Sequence, residues 1–187
     1  MPRFTRLPLT TPRLQLRPLQ LRDAQALFEI FSDPQAMQYW STPPCTTPEQ
    51  AVERIEQDSA WLEEGSVLPL ALVPQGDDKA IVGTVSLFAF DAPSQRAEIG
   101  YILAPQAWGQ GLMHEALQAL VSYAFGVLGL RRLEADIDPR NQRSGKSLER
   151  LGFQREGVLR ERWMVAGEVS DSALYGLLAR EWQEAQE

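Results

Sequence analysis

Over residues 13–19 the chain alternates, with Leu14 and Leu16 on one side and Arg13, Gln15 and Arg17 on the other, a period of two that predicts a half-buried strand. The period then lengthens. Ala24, Leu27, Phe28 and Phe31 recur at helical spacing after Asp23, a suitable N-cap, and Asp33-Pro34 ends the run. A second helix opens on Thr47-Pro48-Glu49-Gln50, a capping box with proline at the first helical position, and its stripe of Val52, Ile55, Ser59 and Leu62 runs to Gly65. The stretch 38–45 between them is irregular, with Tyr39, Trp40, Pro43 and Pro44.

Three apolar runs follow, at 67–73, 81–90 and 97–103, joined by connections short enough for antiparallel neighbours. Residues 111–125 predict a helix whose polar face is His114, Glu115, Gln118 and Ser122, while Met113, Ala116, Leu117, Leu120, Val121 and Ala124 form a wide apolar stripe suited to a core. A strand at 132–137, a short helix at 144–151 stopped by Gly152, and a closing pair of strands at 158–165 and 172–178 complete the pattern. No repeat or linker divides it. The expectation is one α/β (α+β) domain over residues 1–187, with a mixed, mostly antiparallel sheet of about seven strands flanked by about four helices.

Composition narrows the chemistry. With 187 residues, 44% of them hydrophobic, the chain can bury a core, and its net charge of -7 is the wrong sign for a general nucleic-acid binder. The charge is uneven. The first 22 residues hold five arginines and no acid, residues 23–64 hold nine acids and one base, and residues 131–162 hold nine bases and six acids. Such blocks are ordinarily solvated faces, but they also suit a site that brings a polyanion to a cation. Cys45 and His114 are the single cysteine and histidine, which disfavours disulfides, a zinc site and a serine-hydrolase triad, and leads to the expectation of no metal. No segment reaches the roughly 20 apolar residues of a membrane span and none reads as a secretory signal, so the expectation is a cytoplasmic protein without a membrane partner.

The most informative segment is 97–113, a strand running into a loop with Gly109 and Gly111 that opens directly into a helix. The first N–H groups of a helix lack internal partners and carry the positive end of its dipole, and glycines let an anion approach the backbone. Leu112-Met113 stands where a Walker loop needs Lys-Ser/Thr, and His114 where the dinucleotide fingerprint needs a third glycine. An ordinary strand-to-helix turn is the alternative.

The pattern Gln106-x-x-Gly109-x-Gly111 resembles the acyl-CoA pyrophosphate loop of the GNAT N-acetyltransferases, and the surrounding residues 97–101 with Trp108 resemble the ribosomal-protein (Rim-type) subgroup. Asn141-x-x-Ser144, followed by Leu148-Glu149-Arg150-Leu151-Gly152-Phe153, is similar to the family's later motif. The resemblance covers nearly the whole chain. It implies a sheet splayed at its centre to admit acetyl-CoA, and acetyl transfer to a primary amine by direct attack in a ternary complex. Gln106, Gly109, Gln110, Gly111, Leu112 and Met113 would wrap the pyrophosphate, mainly through backbone N–H groups. Ile102 and Leu103 would run beside the pantetheine arm and direct an N–H at the thioester carbonyl as an oxyanion hole. Asn141 would bond the pantetheine region, or serve simply as a turn residue after Asp138-Pro139. Lys146, Arg150 and Arg143 would meet the adenosine 3'-phosphate, or be merely solvated.

For the chemistry, Glu98 matches an acidic position used as a base in this subgroup, acting through water; a rim carboxylate that binds the acceptor's charge is the other reading. Ser144 is either the N-cap of the short helix or a catalytic hydroxyl. Many family members place a tyrosine four residues before the Gly-Phe pair, where this chain has Leu148, so Ser144, Ser147 or solvent would have to protonate the leaving thiolate. Tyr39, Trp40 and Phe88 would wall the acceptor pocket unless they are packing anchors. Deprotonating an α-amine at pH 7 costs about 1 kcal/mol, against about 4.6 for a lysine, which makes a protein N-terminus an economical acceptor; a small-molecule amine fits the same motifs. A homodimer is compatible with the resemblance, and a CoA-binding sensor with little turnover is the alternative function.

Overall fold

In a computed structural model, residues 4–78 and 80–184 are described. Eight strands form one sheet: β1 (Leu9–Thr10), β2 (Leu14–Arg17), β3 (Leu68–Pro74), β4 (Gly83–Asp91), β5 (Arg96–Leu103), β6 (Arg132–Ile137), β7 (Gln154–Val165) and β8 (Glu168–Leu178). The helices are α1 (Ala24–Ser32), α2 (Pro48–Glu64), α3 (Leu112–Gly126), α4 (Gln142–Arg150) and α5 (Ala179–Glu184). The two-residue β1 and the terminal α5 are the elements that the hydrophobic pattern did not announce.

The strand order is β1-β2-β3-β4-β5-β6-β8-β7. Every pairing is antiparallel except β5 with β6, which run parallel and pair only from Arg96–Arg132 to Glu98–Glu134. Beyond Glu98 no pairing joins these two strands, while β5 continues along β4 as far as Leu103. The sheet therefore opens at its centre. β8 lies between β6 and β7 because β7 and β8 form a hairpin whose two-residue turn, Ala166-Gly167, has φ of 49° and 85°, the sign that matches the right-handed twist of the strands.

β3 is buried on both faces, which is why residues 67–73 read as a continuous apolar run rather than an alternation. Leu68, Leu70 and Leu72 join the larger core, where the stripe of α3 predicted from sequence (Ala116, Leu117, Leu120, Val121 and Ala124) is fully buried. Ala71 and Val73 face the opposite way, into a second core made with Leu27, Ile30 and Phe31 of α1, Ala51 and Ile55 of α2, and Ile102.

Two local expectations change. Asp23 does not cap α1 with its side chain: it ends a short 3-10 turn and is buried, accepting bonds from Arg17 at 2.7 and 2.8 Å and from the Gln20 N–H at 2.8 Å. On α2 the buried residues are Ala51, Ile55 and Asp58, so the inward face is displaced from the expected Val52, Ser59 and Leu62, and it carries an acid. Burial pushes the Asp58 carboxyl up to about 6, against the opposing effect of Arg54. No helix among the described residues is long and apolar enough to cross a membrane.

Candidate active site

The loop from β5 into α3 is held by its own backbone and by one clamp. Gly109 and Gly111 have φ of 75° and 76°, a conformation that a residue with a Cβ adopts at a cost of about 1–2 kcal/mol. The Trp108 indole donates to the Leu103 carbonyl at 2.8 Å, and the Gln110 amide to the Gln106 carbonyl at 3.1 Å. Arg13 on the neighbouring connection donates to the Gln110 carbonyl at 2.8 Å and to Glu115 at 2.6 Å, and Glu115 also accepts from Thr11 at 2.6 Å. A Cβ at Gly111 would point to Arg13, 3.6 Å away. The first intrahelical bond is from the Glu115 N–H to the Gly111 carbonyl, so the N–H groups of Leu112, Met113 and His114 at the start of α3 have no partner within the helix. Gln106, Gly109, Gln110 and Gly111 are exposed, Leu112 is buried and Met113 packs partly on the core. Sequence reasoning missed the Arg13–Glu115 clamp; the arginine-rich start of the chain was the available signal.

Along the open edge of β5, backbone alternation decides which groups are free. The Ala104 N–H bonds the Val82 carbonyl, so two residues earlier Ile102 also turns its peptide toward β4, and Leu103 and Tyr101 turn theirs toward the gap. Of the two expected backbone donors, Leu103 faces the gap and Ile102 does not; the Ile102 side chain is buried in the second core.

Across the gap, Asn141 is the side-chain cap of α4, accepting the Ser144 N–H at 3.1 Å. The capping alternative for Ser144 is thereby removed. Ser144 is buried, and its Oγ lies 2.6 Å from the Tyr101 hydroxyl. Lys146 is exposed and, with Glu149 and Arg150, lines a shallow cavity of about 570 Å³ on the outer side of α4. Arg143 lies 5.0 Å over the Trp108 ring, placing a cation between the loop and α4.

The opposite face of the sheet carries the carboxylates. Glu98 lies beside Phe88 on β4 and Glu134 on β6, with Asp136 two residues further. Phe88 leans on Gly100, where a Cβ would come within 3.1 Å of its ring. Glu134 is held by Arg96 and Arg132, both at 2.7 Å, and Asp136 by Ser172 and by Arg162 at 3.0 Å. Glu98 has no hydrogen-bond partner among the described residues. Burial first, then Glu134 and Asp136, raise its carboxyl above the usual range, opposed by Arg162 and Arg96. Tyr39 carries the Arg140 guanidinium 5.9 Å from its ring centre, linking the irregular loop to the start of α4. Trp40 instead packs edge-on against Phe31 at 5.3 Å, with Arg54 over both rings, as a packing anchor does. His114, expected at the surface, is partly covered, with its Nδ1 buried and unpartnered among the described residues.

The structure thus combines a gap between parallel strands, a left-handed glycine loop at a helix N-terminus and a capped Asn-x-x-Ser turn whose serine reaches Tyr101 of β5. A family model described as an acetyltransferase (GNAT) domain matches residues 13–154.

The chain belongs to the GNAT acetyltransferase family.

This GNAT enzyme is 37% identical over 174 residues to the uncharacterized N-acetyltransferase p20 of Bacillus licheniformis, covering 93% of this chain and 97% of that one. It is 29% identical to the ribosomal protein uS5-alanine N-acetyltransferase of Escherichia coli K12, over 93% and 92% of the two chains. The microcin C7 self-immunity acetyltransferase MccE, solved with acetyl-CoA and AMP, shares the fold with a TM-score of 0.79 at 24% identity, over 89% and 93%. The GNAT fold is thus established, and with it an acyltransferase of a family that uses acetyl-CoA.

Proposed function

We propose that this GNAT enzyme transfers acetyl from acetyl-CoA to a primary amine by direct attack, with the pantetheine arm between β5 and β6. The observation that carries the reading is the loss of pairing beyond Glu98, which leaves Leu103 with a backbone N–H turned into the gap and aimed where a thioester carbonyl would need a donor. The start of α3 would take the pyrophosphate. Arg143, Lys146 and Arg150 line the outer approach, where the adenosine 3'-phosphate would lie.

The acceptor would arrive on the face with Phe88 and Glu98. Since Glu134 and Asp136 are already neutralised by arginines, Glu98 is the carboxylate left to receive an ammonium and, once water bridges the two, its proton. A raised carboxyl is the better base for an amine near pH 8. Ser144 would donate to the departing sulfur. A protein N-terminus is the acceptor class favoured by this arithmetic and by the relationship to the uS5-alanine enzyme; a small-molecule amine would use the same groups.

Thiol release from acetyl-CoA, measured with N-terminal peptides, lysine peptides and small amines, tests the reading. Turnover on an α-amine is the expected result. Tight acetyl-CoA binding without turnover on any amine would instead make the protein a CoA sensor.

A further inference from the structure

Below the first turn of α4 the Tyr101 and Ser144 hydroxyls meet, with the Tyr175 hydroxyl close to Gly145. Tyr101 lies on the β5 face that joins the larger core, with Ala97 and Ile99. Since β5 and β6 no longer pair at this level, its ring reaches past the strand edge to α4, ending 2.6 Å from Ser144 Oγ and 3.5 Å from the Ser144 carbonyl. The serine is fixed from the other side by the Asn141 cap on its N–H. Gly145 is the next residue, and a Cβ there would stand 3.0 Å from the Tyr175 hydroxyl of β8; glycine lets the helix settle on both tyrosines. Leu148, where the family's usual tyrosine would lie, is completely buried and offers no hydroxyl.

We propose that Tyr101 is a positioning residue for the leaving group: its hydroxyl donates to Ser144 Oγ, leaving the serine's own proton free to point into the gap and meet the departing CoA sulfur. This rests on the reading above that the pantetheine arm occupies that gap. The phenol is the more acidic of the two hydroxyls and hence the better donor, and among the described residues Ser144 Oγ has no other hydrogen-bond partner. Burial, with the nearby Tyr175, pushes the Tyr101 hydroxyl up to about 12, against the opposing Ser144 bond, so it stays protonated throughout the working range.

In the step itself the amine nitrogen bonds the acyl carbon, the C–S bond breaks, and sulfur leaves with the electron pair. The proton shed by the nitrogen goes to Glu98 or to water. Sulfur takes no proton from Ser144: a thiol titrates near 8.5, well below any hydroxyl here, so the serine stabilises a thiolate by hydrogen bonding.

The test is titration of the thiol of bound CoA by its thiolate ultraviolet absorbance, combined with kcat on the best amine found. In the wild type the bound thiol should titrate below free CoA. In Tyr101→Phe and in Ser144→Ala the thiolate fraction at fixed pH, and kcat, should each fall by about tenfold, the lower end for a hydrogen bond to a charged group, with KM for acetyl-CoA unchanged. The double variant should add nothing further. Fluorotyrosine at 101 keeps the ring's shape while strengthening the donor, and should move the thiol below the wild-type value even if the phenylalanine variant folds poorly. A thiol that titrates identically in wild type, Tyr101→Phe and the fluorotyrosine protein overturns the proposal, as does additivity with Ser144→Ala. The titration needs no acceptor, so a wild type that acetylates no amine would end the functional reading alone, whereas a wild type that does not bind CoA would end both.

Discussion

Residues 103–113, which turn the end of β5 into α3, are consecutive in the chain and are fixed by the Trp108 and Gln110 side chains bonding the loop's own carbonyls, by two left-handed glycines and by the nearby Arg13 clamp. The carboxylates Glu98, Glu134 and Asp136 come from two strands separated in sequence by α3, and the cations that neutralise Glu134 and Asp136 come from β5, β6 and β7. The proposed donor side is thus a local motif, whose geometry follows from short-range contacts and a helix terminus. The proposed acceptor side is an electrostatic surface, whose properties depend on which charges are already paired. One tolerates little change in backbone and much change in side chain; the other should behave the opposite way.

That contrast can be broken by experiment. The largest effect should come from Glu98→Gln, which keeps the shape of the acceptor face and removes its unpaired carboxylate: kcat should drop by about 100-fold, as for loss of a general base, with CoA affinity intact by calorimetry. Loss of CoA binding instead would place Glu98 on the wrong side of the division. Gly111→Val should do the reverse. A β-branched residue cannot hold φ of 76° without strain of about 1–3 kcal/mol, so the free loop should relax to another conformation, keeping the melting temperature nearly unchanged. CoA affinity should weaken by about 30-fold because binding must restore the strained one.

Asp58 sharpens the comparison at the level of stability. Its folded carboxyl, near 6, lies above the ordinary aspartate value near 3.9, so the folded state binds the proton more tightly and stability falls as pH rises from about 4 to about 6. Asp58→Asn should therefore be more stable than the wild type above pH 6, by about 1–2 kcal/mol, and equal to it near pH 4. Equal melting temperatures at both values would show that the buried acid costs nothing. The smallest effect should follow Arg13→Ala. The clamp's side chain is half exposed, at 50%, so its loss should weaken CoA binding by about threefold, and Glu115→Ala should show the same loss without adding to it.

How much was legible followed this division. The apolar stripe of α3, the capping box at Thr47 and the order of the β3–β5 meander were readable because each is a pattern of neighbours, and the Gln106-x-x-Gly109-x-Gly111 loop was readable for the same reason. In sequence Asp23 reads only as a cap, and the burial of Asp58 is not announced, because a charged residue's burial depends on what packs over it, which the helix itself does not state. Ser144 was ambiguous between cap and catalyst until Asn141 was found capping and Tyr101 was found bonded to the hydroxyl, a pairing across 43 positions of sequence. β1, only two residues long, has too few positions to show a period at all.

The sequence by itself determined the family, most of the succession of elements and the glycine loop that opens α3, because local conformational preference and short spacing carry that information. Only the tertiary structure decided which carboxylate is unpaired, which peptide edge faces the gap and which hydroxyl touches Ser144. Those depend on strands and helices meeting over long separations in sequence, as β5 meets β6 only as far as Glu98 and Tyr101 meets Ser144 beyond it.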